Sequence, residues 1–95
     1  MSRLTKLARG RECQVRLPCC NHNAETTILA HYRLAGTCGI GMKPNDLQGA
    51  WACSACHDEI DRRTRLFEPE FVRLAHAEGV IRTIDILIKE GKIKL

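Results

Sequence analysis

The cysteines constrain this chain more than any other feature of its sequence. Six of them occur in 95 residues, and two, Cys53 and Cys56, stand at C-x-x-C spacing within the stretch WACSACHDEID. A chain of this length buries proportionally little surface, and small domains often draw stability from a metal ion or from disulfides. Aromatic residues make up only 4% of the chain, so the core depends on aliphatic side chains. We therefore expect a single domain, spanning residues 1–95, that is stabilised through its cysteines.

No segment has the pattern of a targeting or membrane signal. The chain starts MSRLTK without an apolar stretch behind it, so a signal peptide is not expected. The longest apolar stretch, residues 80–88, is interrupted by Arg82, Thr83 and Asp85 and is too polar to span a bilayer. We expect a cytoplasmic protein with no membrane partner. Disulfides are disfavoured in the cytoplasm, so clustered cysteines favour a metal site.

The C-x-x-C spacing is typical of half a zinc site. A structural zinc ion takes four nitrogen or sulfur ligands in a tetrahedron. Cys53 and Cys56 can supply two of them, because a knuckle turn at the start of a helix brings both sulfurs to one side, where the helix N-terminus favours the thiolates. The alternative is a set of buried, inert thiols, and six cysteines in so short a chain argue against it.

The other half of the zinc site must come from elsewhere in the chain. Cys13, Cys19 and Cys20 flank a predicted strand, and adjacent cysteines rarely both reach one metal ion. We prefer Cys13 with Cys20, leave Cys19 as a spectator, and keep Cys38 as a reserve ligand. The expected cofactor is a structural zinc ion.

The first half of the chain has the pattern of a hairpin followed by a loop. Residues 1–12 look irregular. Residues 13–17 alternate as an edge strand does, and residues 26–31, TTILAH, are β-branched and apolar. Residues 34–49 carry four glycines and one proline, and they predict a long loop of the kind that is often functional.

The second half of the chain has helical patterns. Ser54 can cap a helix that runs on into residues 62–65. Pro69 suits the first position of another helix that stops at Gly79. Residues 80–90 place their apolar side chains on one face of a last helix.

These elements together predict an α+β fold. Gly91 ends the last helix, and residues 92–95 can add a short strand. A hairpin with one cysteine knuckle and a helix with another form the treble-clef pattern. We therefore expect a zinc-bound treble-clef core over residues 13–65, a basic arm over residues 1–12 and a C-terminal helical extension over residues 66–95.

The charge distribution points to a polyanionic partner. The net charge is +4, and residues 1–47 hold seven Lys and Arg against three Asp and Glu, whereas residues 48–95 hold eight of each. A basic arm suits nucleic acid, although a solvated N-terminus explains it equally well. The basic residues of the arm and its neighbourhood are Arg3, Lys6, Arg9, Arg11 and Arg16.

Two of the four histidines stand where chemistry is expected. His31 ends the second predicted strand beside the glycine-rich loop, where it can point into a cleft. His57 follows Cys56 directly, so the knuckle fixes its backbone. Asp61 lies one helical turn further on and shares a face with His57, so the two can hold a second, harder metal ion. The other two histidines are expected to be solvated or structural. They are His22, which has a minor chance of being a metal ligand, and His76.

The segments LAH, PNDL and CSACH resemble the HNH, or His-Me finger, nuclease pattern over residues 13–63. The longer text CQVRLPCC…ETTILAHYRLAG…GMKPNDLQGAWACSACHDEIDRR is similar to a family of small proteins carried by lambdoid prophages. The resemblance implies a ββα-metal core. It matches His31 to the catalytic histidine and His57 to the final, metal-binding histidine. The middle position of the pattern falls on Asn45 or Asp46.

The sequence departs from the HNH pattern at Ala30, where many of these enzymes have an acidic residue or a histidine as a metal ligand. The hold on a catalytic metal ion, magnesium or manganese, would then rest on His57 and Asp61. Asp58 and Glu25 are further candidates. The two metal centres are expected to be separate.

The implied activity is metal-dependent endonuclease hydrolysis of phosphodiester bonds, with DNA as the expected partner. His31 would take a proton from water, a contribution of about 100- to 10,000-fold in rate. A divalent ion would relieve charge at phosphorus and stabilise the leaving oxygen. Flanking phosphates would contact four arginines through salt-sensitive, non-specific bonds: Arg33, Arg62, Arg63 and Arg65.

Two other functions fit the same sequence. A non-catalytic, zinc-bearing nucleic-acid-binding module would keep the cysteines and the basic arm, and His31 would only pack or contact phosphate. A protein-interaction adaptor would use the helix at residues 80–88 as its docking face. The sequence leaves the oligomeric state open.

Overall fold

The computed structural model of the protein describes residues 3–37 and 44–94. It is a small α+β structure, which confirms the predicted class. Two short 3-10 turns, Ala24–Thr26 and Asp46–Gln48, precede the two strands. In chain order the helices and strands are α1 (Arg3–Leu7), β1 (Ile28–His31), β2 (Gly49–Ala52), α2 (Ser54–Ile60) and α3 (Pro69–Lys89).

The sheet consists of two antiparallel strands. β1 pairs with β2 in a register that sets Leu29 opposite Trp51 and His31 opposite Gly49. All four residues of β2 are buried, because β1 lies along the strand and α3 packs against it. The predicted strand at residues 26–31 is therefore present from Ile28 to His31. Its partner is β2, which the sequence analysis did not assign as a strand.

The predicted strand at residues 13–17 is wrong. Gln14 N–H donates to the carbonyl of Trp51 at 2.7 Å, so this segment touches β2. The backbone of Arg16 then adopts φ 57°, in the left-handed region. An extended chain cannot continue through that conformation, and the segment turns back on itself instead.

α2 begins and ends slightly differently from the prediction. Its N-cap is Cys53, whose sulfur accepts the N–H of Cys56 at 3.4 Å, and not Ser54. The helix ends at Ile60 and does not run into residues 62–65. Arg62 has φ 61°, and this left-handed backbone stops the helix.

The C-terminal half contains one helix of 21 residues where two were predicted. Pro69 opens it as expected, and Gly91, with φ 73°, follows its end. Gly79 lies in its middle and is buried, and a Cβ there would come within 3.0 Å of Val15 and 3.2 Å of Ala50. The glycine therefore permits close packing and is not a stop. The buried stripe of the helix is Val72, His76, Gly79, Thr83 and Leu87.

The N-terminal segment packs on the rest of the chain, and the expectation of an irregular arm is wrong for α1, whereas residues 8–12 have no regular secondary structure. Ala8 is fully buried in a cluster with Trp51 and Leu87. Arg11 donates two hydrogen bonds to Glu90, one of them 2.6 Å long. Residues 92–94 form no strand, and position 95 lies outside the described residues. Among the residues described, no helix combines the length and apolarity needed to cross a membrane.

Candidate metal centre and histidine cleft

Four cysteine sulfurs lie together in the structure. Those of Cys13, Cys20, Cys53 and Cys56 are all within 4.8 Å of one another. The sulfurs of Cys13 and Cys56 are 3.6 Å apart, and those of Cys20 and Cys53 are 3.7 Å apart. Tetrahedral zinc, with bonds of about 2.3 Å to sulfur, sets neighbouring sulfurs about 3.8 Å apart. The cluster could therefore hold a metal ion, and its dimensions suit zinc.

Two separate turns bring these sulfurs together. The capping bond of Cys53 forms the knuckle at the start of α2. The other pair is gathered by the turn at Arg16 and by the N–H of Cys20, which donates to the carbonyl of Leu17 at 2.8 Å. Cys19 is not one of the four clustered cysteines, and its sulfur lies 4.0 Å from the carbonyl of Ala55. The reserve ligand, Cys38, lies outside the described residues.

Hydrogen bonding and burial shift the pKa values of three of the four thiols. The hydrogen bond between the sulfurs of Cys13 and Cys56 lowers the pKa of Cys13 to about 4 and raises the pKa of Cys56. Burial raises the pKa of Cys20 to about 11, and the neighbouring charge of Cys13 adds to that shift. A bound dication would favour loss of the remaining protons. This chemistry is that of a metal-binding cluster.

A cleft of about 210 Å³ lies where β1, the end of α2 and α3 meet. Its volume suits a small group such as a phosphate with its ester oxygens. The polar and aromatic side chains that line it are His31, Tyr32, Arg33, Asp61, Arg73 and His76.

His31 is held by Asp46, which lies between the strands in sequence. Nε2 of His31 is 2.8 Å from Oδ1 of Asp46, and both side chains are about a quarter exposed. Because a carboxylate can only accept, Nε2 of the neutral ring carries the proton and Nδ1 keeps its lone pair. Asn45 does not take this role, because its side chain accepts the N–H of Leu47 and donates to Gln48. Of the two candidates for the middle position, the one that contacts His31 is thus Asp46.

His57 and Asp61 form the predicted pair on α2. Nε2 of His57 is 3.1 Å from Oδ2 of Asp61. Asp61 also lines the cleft that contains His31, so the carboxylate that contacts His57 opens onto the same space as His31. Asp58 instead pairs with Arg63 at 3.3 Å. Within residues 3–37 and 44–94, the cysteine cluster is the one group of three or more His, Cys, Asp or Glu side chains placed to hold a metal ion. No third residue of these four types therefore completes a metal site with His57 and Asp61.

The four arginines expected to bind nucleic acid lie in different surroundings. Arg33 lines the cleft. Arg62 donates to the carbonyl of Phe67 at 3.1 Å and lies 3.5 Å from the Glu59 carboxylate. Arg63 pairs with carboxylates of α2 and of the residue that follows it, and Arg65 is exposed. The structure therefore brings one of these four arginines into the cleft.

Glu59 is fully buried and organises the loop that follows α2. Its carboxylate accepts the Thr64 hydroxyl at 2.6 Å and the backbone N–H groups of Leu66 and Phe67 at 3.1 and 3.0 Å. These bonds and the charge of Arg62 hold the pKa of Glu59 below its usual range. The loop that starts at the cleft is thereby fixed to a helix that starts at the cysteines.

Sequence reasoning missed the contribution of α3 to the cleft. His76 is buried, and its Nε2 donates to the carbonyl of Ala30 at 2.8 Å. Burial lowers the pKa of His76 and so favours the neutral ring. Tyr32 and Arg73 complete the group. The signal was present, because Val72, His76, Gly79 and Thr83 follow helical spacing without interruption.

The fold and site define a small α+β domain in which a four-cysteine cluster adjoins a cleft of histidines and carboxylates. A family model described as “Putative nuclease YbcO” matches residues 2–92. The chain is 57% identical over 95 residues to “Putative nuclease YbcO” of Escherichia coli (strain K12) and to “Putative nuclease ybcO” of Enterobacteria phage 82, with 99% of each chain covered. The chain belongs to the YbcO family.

A solved structure has the same fold. It is described as “Structure of a putative bacteriophage protein from Escherichia coli str. K-12 substr. MG1655”, and it matches with a TM-score of 0.81 and 52% sequence identity. The match covers 93% of this chain and 99% of the other. The arrangement of helices and strands described above is therefore shared with that protein.

Proposed function

We propose that this chain is a metal-dependent endonuclease of the HNH type with a structural zinc ion. The observation that carries the proposal is the cleft in which His31, bonded to Asp46, faces the carboxylate that binds His57. The names of the family and of its close relatives support a nuclease and hence a nucleic-acid substrate. DNA is the expected form of that substrate, given the phage relative.

The order of elements supports an HNH-type core. β1, β2 and α2 follow one another as a ββα unit, with His31 at the end of β1 and His57 in the first turns of α2. Asp46 comes from the segment between the two strands. These are the relative positions that the resemblance implies for the catalytic, middle and metal-binding residues. α3 packs on β2, so the treble-clef core and its extension fold as one unit in this proposal.

His31 acts as the general base. Asp46 accepts the Nε2 proton and so fixes both the ring and the tautomer, as groups behind a reactive histidine do. Nδ1 is then the atom that removes a proton from the attacking water. Imidazole titrates near neutral pH in general, which suits this task.

His57 and Asp61 hold the catalytic divalent ion, magnesium or manganese. Such an ion, when bound, relieves charge on the phosphate and on the leaving oxygen. Magnesium commonly binds through one or two protein ligands and otherwise through water and substrate phosphate, so two side chains suffice. Nε2 of His57 and Oδ2 of Asp61 are already 3.1 Å apart, and Asp61 lines the cleft.

The zinc ion of the cysteine cluster has a structural role. Cys13 and Cys20 belong to a segment without regular secondary structure, and Cys53 and Cys56 belong to the start of α2. Joining them fixes α2, and with it His57, against the rest of the chain. Four protein ligands leave no open position for substrate, as expected of a structural site.

The test is cleavage of supercoiled plasmid with magnesium, manganese or zinc by wild type and by His31→Ala. We expect nicking by wild type and at least about 100-fold less by the variant, because general-base catalysis contributes that much. The matched control is His22→Asn, which removes an exposed imidazole outside the cleft. Asparagine tolerates the φ of 55° at that position.

Equal thermal stability and zinc content must accompany the loss of activity. If His31→Ala cleaves as wild type does, the assignment of the base is wrong. If wild type binds DNA but cleaves with none of the three metals, the protein is the non-catalytic binding module instead.

A further inference from the structure

Arg73 is an arginine that sequence analysis gave no role, and it lies in the cleft. It belongs to the second turn of α3 and lines the same 210 Å³ space as His31 and Asp61. Its guanidinium carbon is 4.9 Å from the centre of the Tyr32 ring, over the ring face. A cation at this distance from an aromatic face is attracted by the ring.

The surface beneath Arg73 consists of the half-buried Tyr32 ring and, behind it, the buried ring of His76. The Tyr32 ring is 5.0 Å from the ring of His76, tilted by 58°. His76 is only 5% exposed and donates to the carbonyl of Ala30, the residue before His31. Backbone N–H of Tyr32 donates to Gln48 at 2.7 Å. The guanidinium therefore rests on a platform that is fixed at two points.

Most arginines near the site or on α3 already contact a carboxylate. Arg62 pairs with Glu59, Arg63 with Asp58, and Arg82 with Glu78. Within the two described ranges, no Asp or Glu comes within ion-pairing distance of Arg73. Its charge is held in place by an aromatic face and is not neutralised by an acid.

We infer that Arg73 binds a backbone phosphate of nucleic acid in this cleft, an inference that rests on the proposed function. Stacking uses the flat face of a guanidinium and leaves the N–H groups along its edge able to donate. A planar edge of donors matches two oxygens of a phosphate. Arg73 is thus a phosphate-binding residue, and Tyr32 is the positioning residue that aims it.

The experiment measures binding of a fluorescent DNA duplex by anisotropy across a range of salt concentrations. His31→Ala is the parent protein, so that cleavage does not interfere. Loss of one phosphate contact should reduce the slope of log K against log salt by about 0.7–0.9. We expect this reduction in the double variant with Arg73→Gln, together with weaker binding at low salt.

Two controls separate this contact from general effects. Lys89→Gln removes one positive charge from the same helix, about 24 Å away at 1.5 Å per residue, and should leave the slope unchanged. Lys89 is exposed and pairs only with Asp85 among the described residues. Tyr32→Phe should bind as the parent does, and Tyr32→Leu should weaken binding, because the aromatic face and not the hydroxyl holds the guanidinium.

Each outcome of the binding experiment either supports or overturns the phosphate contact of Arg73. An unchanged slope for Arg73→Gln, in a protein with the parent's melting temperature, overturns the inference while leaving nuclease activity to be judged by the plasmid assay. A reduced slope supports the phosphate contact even if wild type cleaves plasmid with none of the three metals, a result that would remove only the catalytic proposal. A parent that binds no DNA at low salt overturns both.

Discussion

The cysteine cluster and the histidine cleft both depend on α2, but they use their polar groups in opposite ways. In the cluster, Cys53 and Cys56 are fully buried and every sulfur has another sulfur as its neighbour. In the cleft, only one ring nitrogen of His31, Nε2, contacts Asp46. The side chains of His31 and Asp46 are both about a quarter exposed. Closed metal sites serve structure, and open ones leave room for a substrate. The contrast predicts that changes in the first region cost stability and changes in the second cost activity.

The largest expected effect follows from removing one cysteine of the cluster. Structural zinc contributes about 10–16 kcal/mol in zinc-finger peptides, and a whole domain is stable by only about 5–15 kcal/mol. We expect Cys56→Ser to lose both its bound zinc and its cooperative thermal transition. Elemental analysis measures the zinc, and circular dichroism measures the transition. Cys19→Ser is the matched control and should keep both, since its sulfur lies outside the cluster.

A folded Cys56→Ser variant with an unchanged melting temperature would contradict this account of the cluster. So would wild-type protein purified without any transition metal. Either result would also remove the reason for expecting His57 to be fixed in place.

The second prediction separates two adjacent residues, Asp46, which contacts His31, and Asn45, which caps the turn that follows it. Asp46→Ala should lower the cleavage rate about 10- to 100-fold, as loss of a group supporting a reactive histidine does, with little change in stability. Asn45→Ala should instead cost about 0.5–2 kcal/mol, because its side chain caps the turn Asp46–Gln48. Plasmid nicking and denaturant unfolding, measured on both variants, test the assignment. Equal effects of the two variants on rate would show that the middle position is not Asp46.

Sequence reasoning was most successful where the relevant residues are close in the chain. The C-x-x-C knuckle and the His57–Asp61 pair are separated by three and four positions, and helix geometry alone brings them together. The pairing of Cys13 with Cys20 came from excluding an adjacent cysteine. In each case the chain offers few alternatives, so spacing is informative.

Longer-range features could not be read from local patterns. β2, with the sequence GAWA, has no β-branched residue, and burial rather than propensity makes it a strand. Gly79 looks like a helix stop, yet the close approach of Val15 and Ala50 requires it. Arg73 meets its aromatic partner 41 positions away, and only the packing of α3 reveals the contact.

The third prediction concerns Gly79, because α3 packs there against Val15, which lies between two of the clustered cysteines. Alanine favours a helix over glycine by about 1 kcal/mol, but overpacking a core costs about 1–3 kcal/mol. The new methyl group would be 3.1 Å from Cα of Val15, a backbone atom that cannot rotate away. We expect Gly79→Ala to be destabilised by about 1 kcal/mol in denaturant unfolding. Ala77→Gly in the same helix gives the scale of propensity alone. A more stable Gly79→Ala would mean that the packing at this point is looser than described.

The smallest predicted effect involves Glu59, which lies between Cys56 and Asp61 and so between the two regions. Its pKa is lowered in the folded protein by bonds from Thr64 and the following loop, so its contribution to stability is complete above the unfolded-state value of 4.5 and is lost as the pH falls below it. Glu59→Gln should therefore be less stable than wild type at neutral pH, and the difference should shrink as the pH falls through 4.5 and lower. Protonation of the cysteine ligands affects both proteins and cancels in the difference. Glu25→Gln, at an exposed carboxylate, is the matched control for the change of side chain. If the difference in unfolding free energy between Glu59→Gln and wild type stays constant with pH, the loop is held by packing and not by the buried charge. The link between the cysteine cluster and the cleft is then not electrostatic.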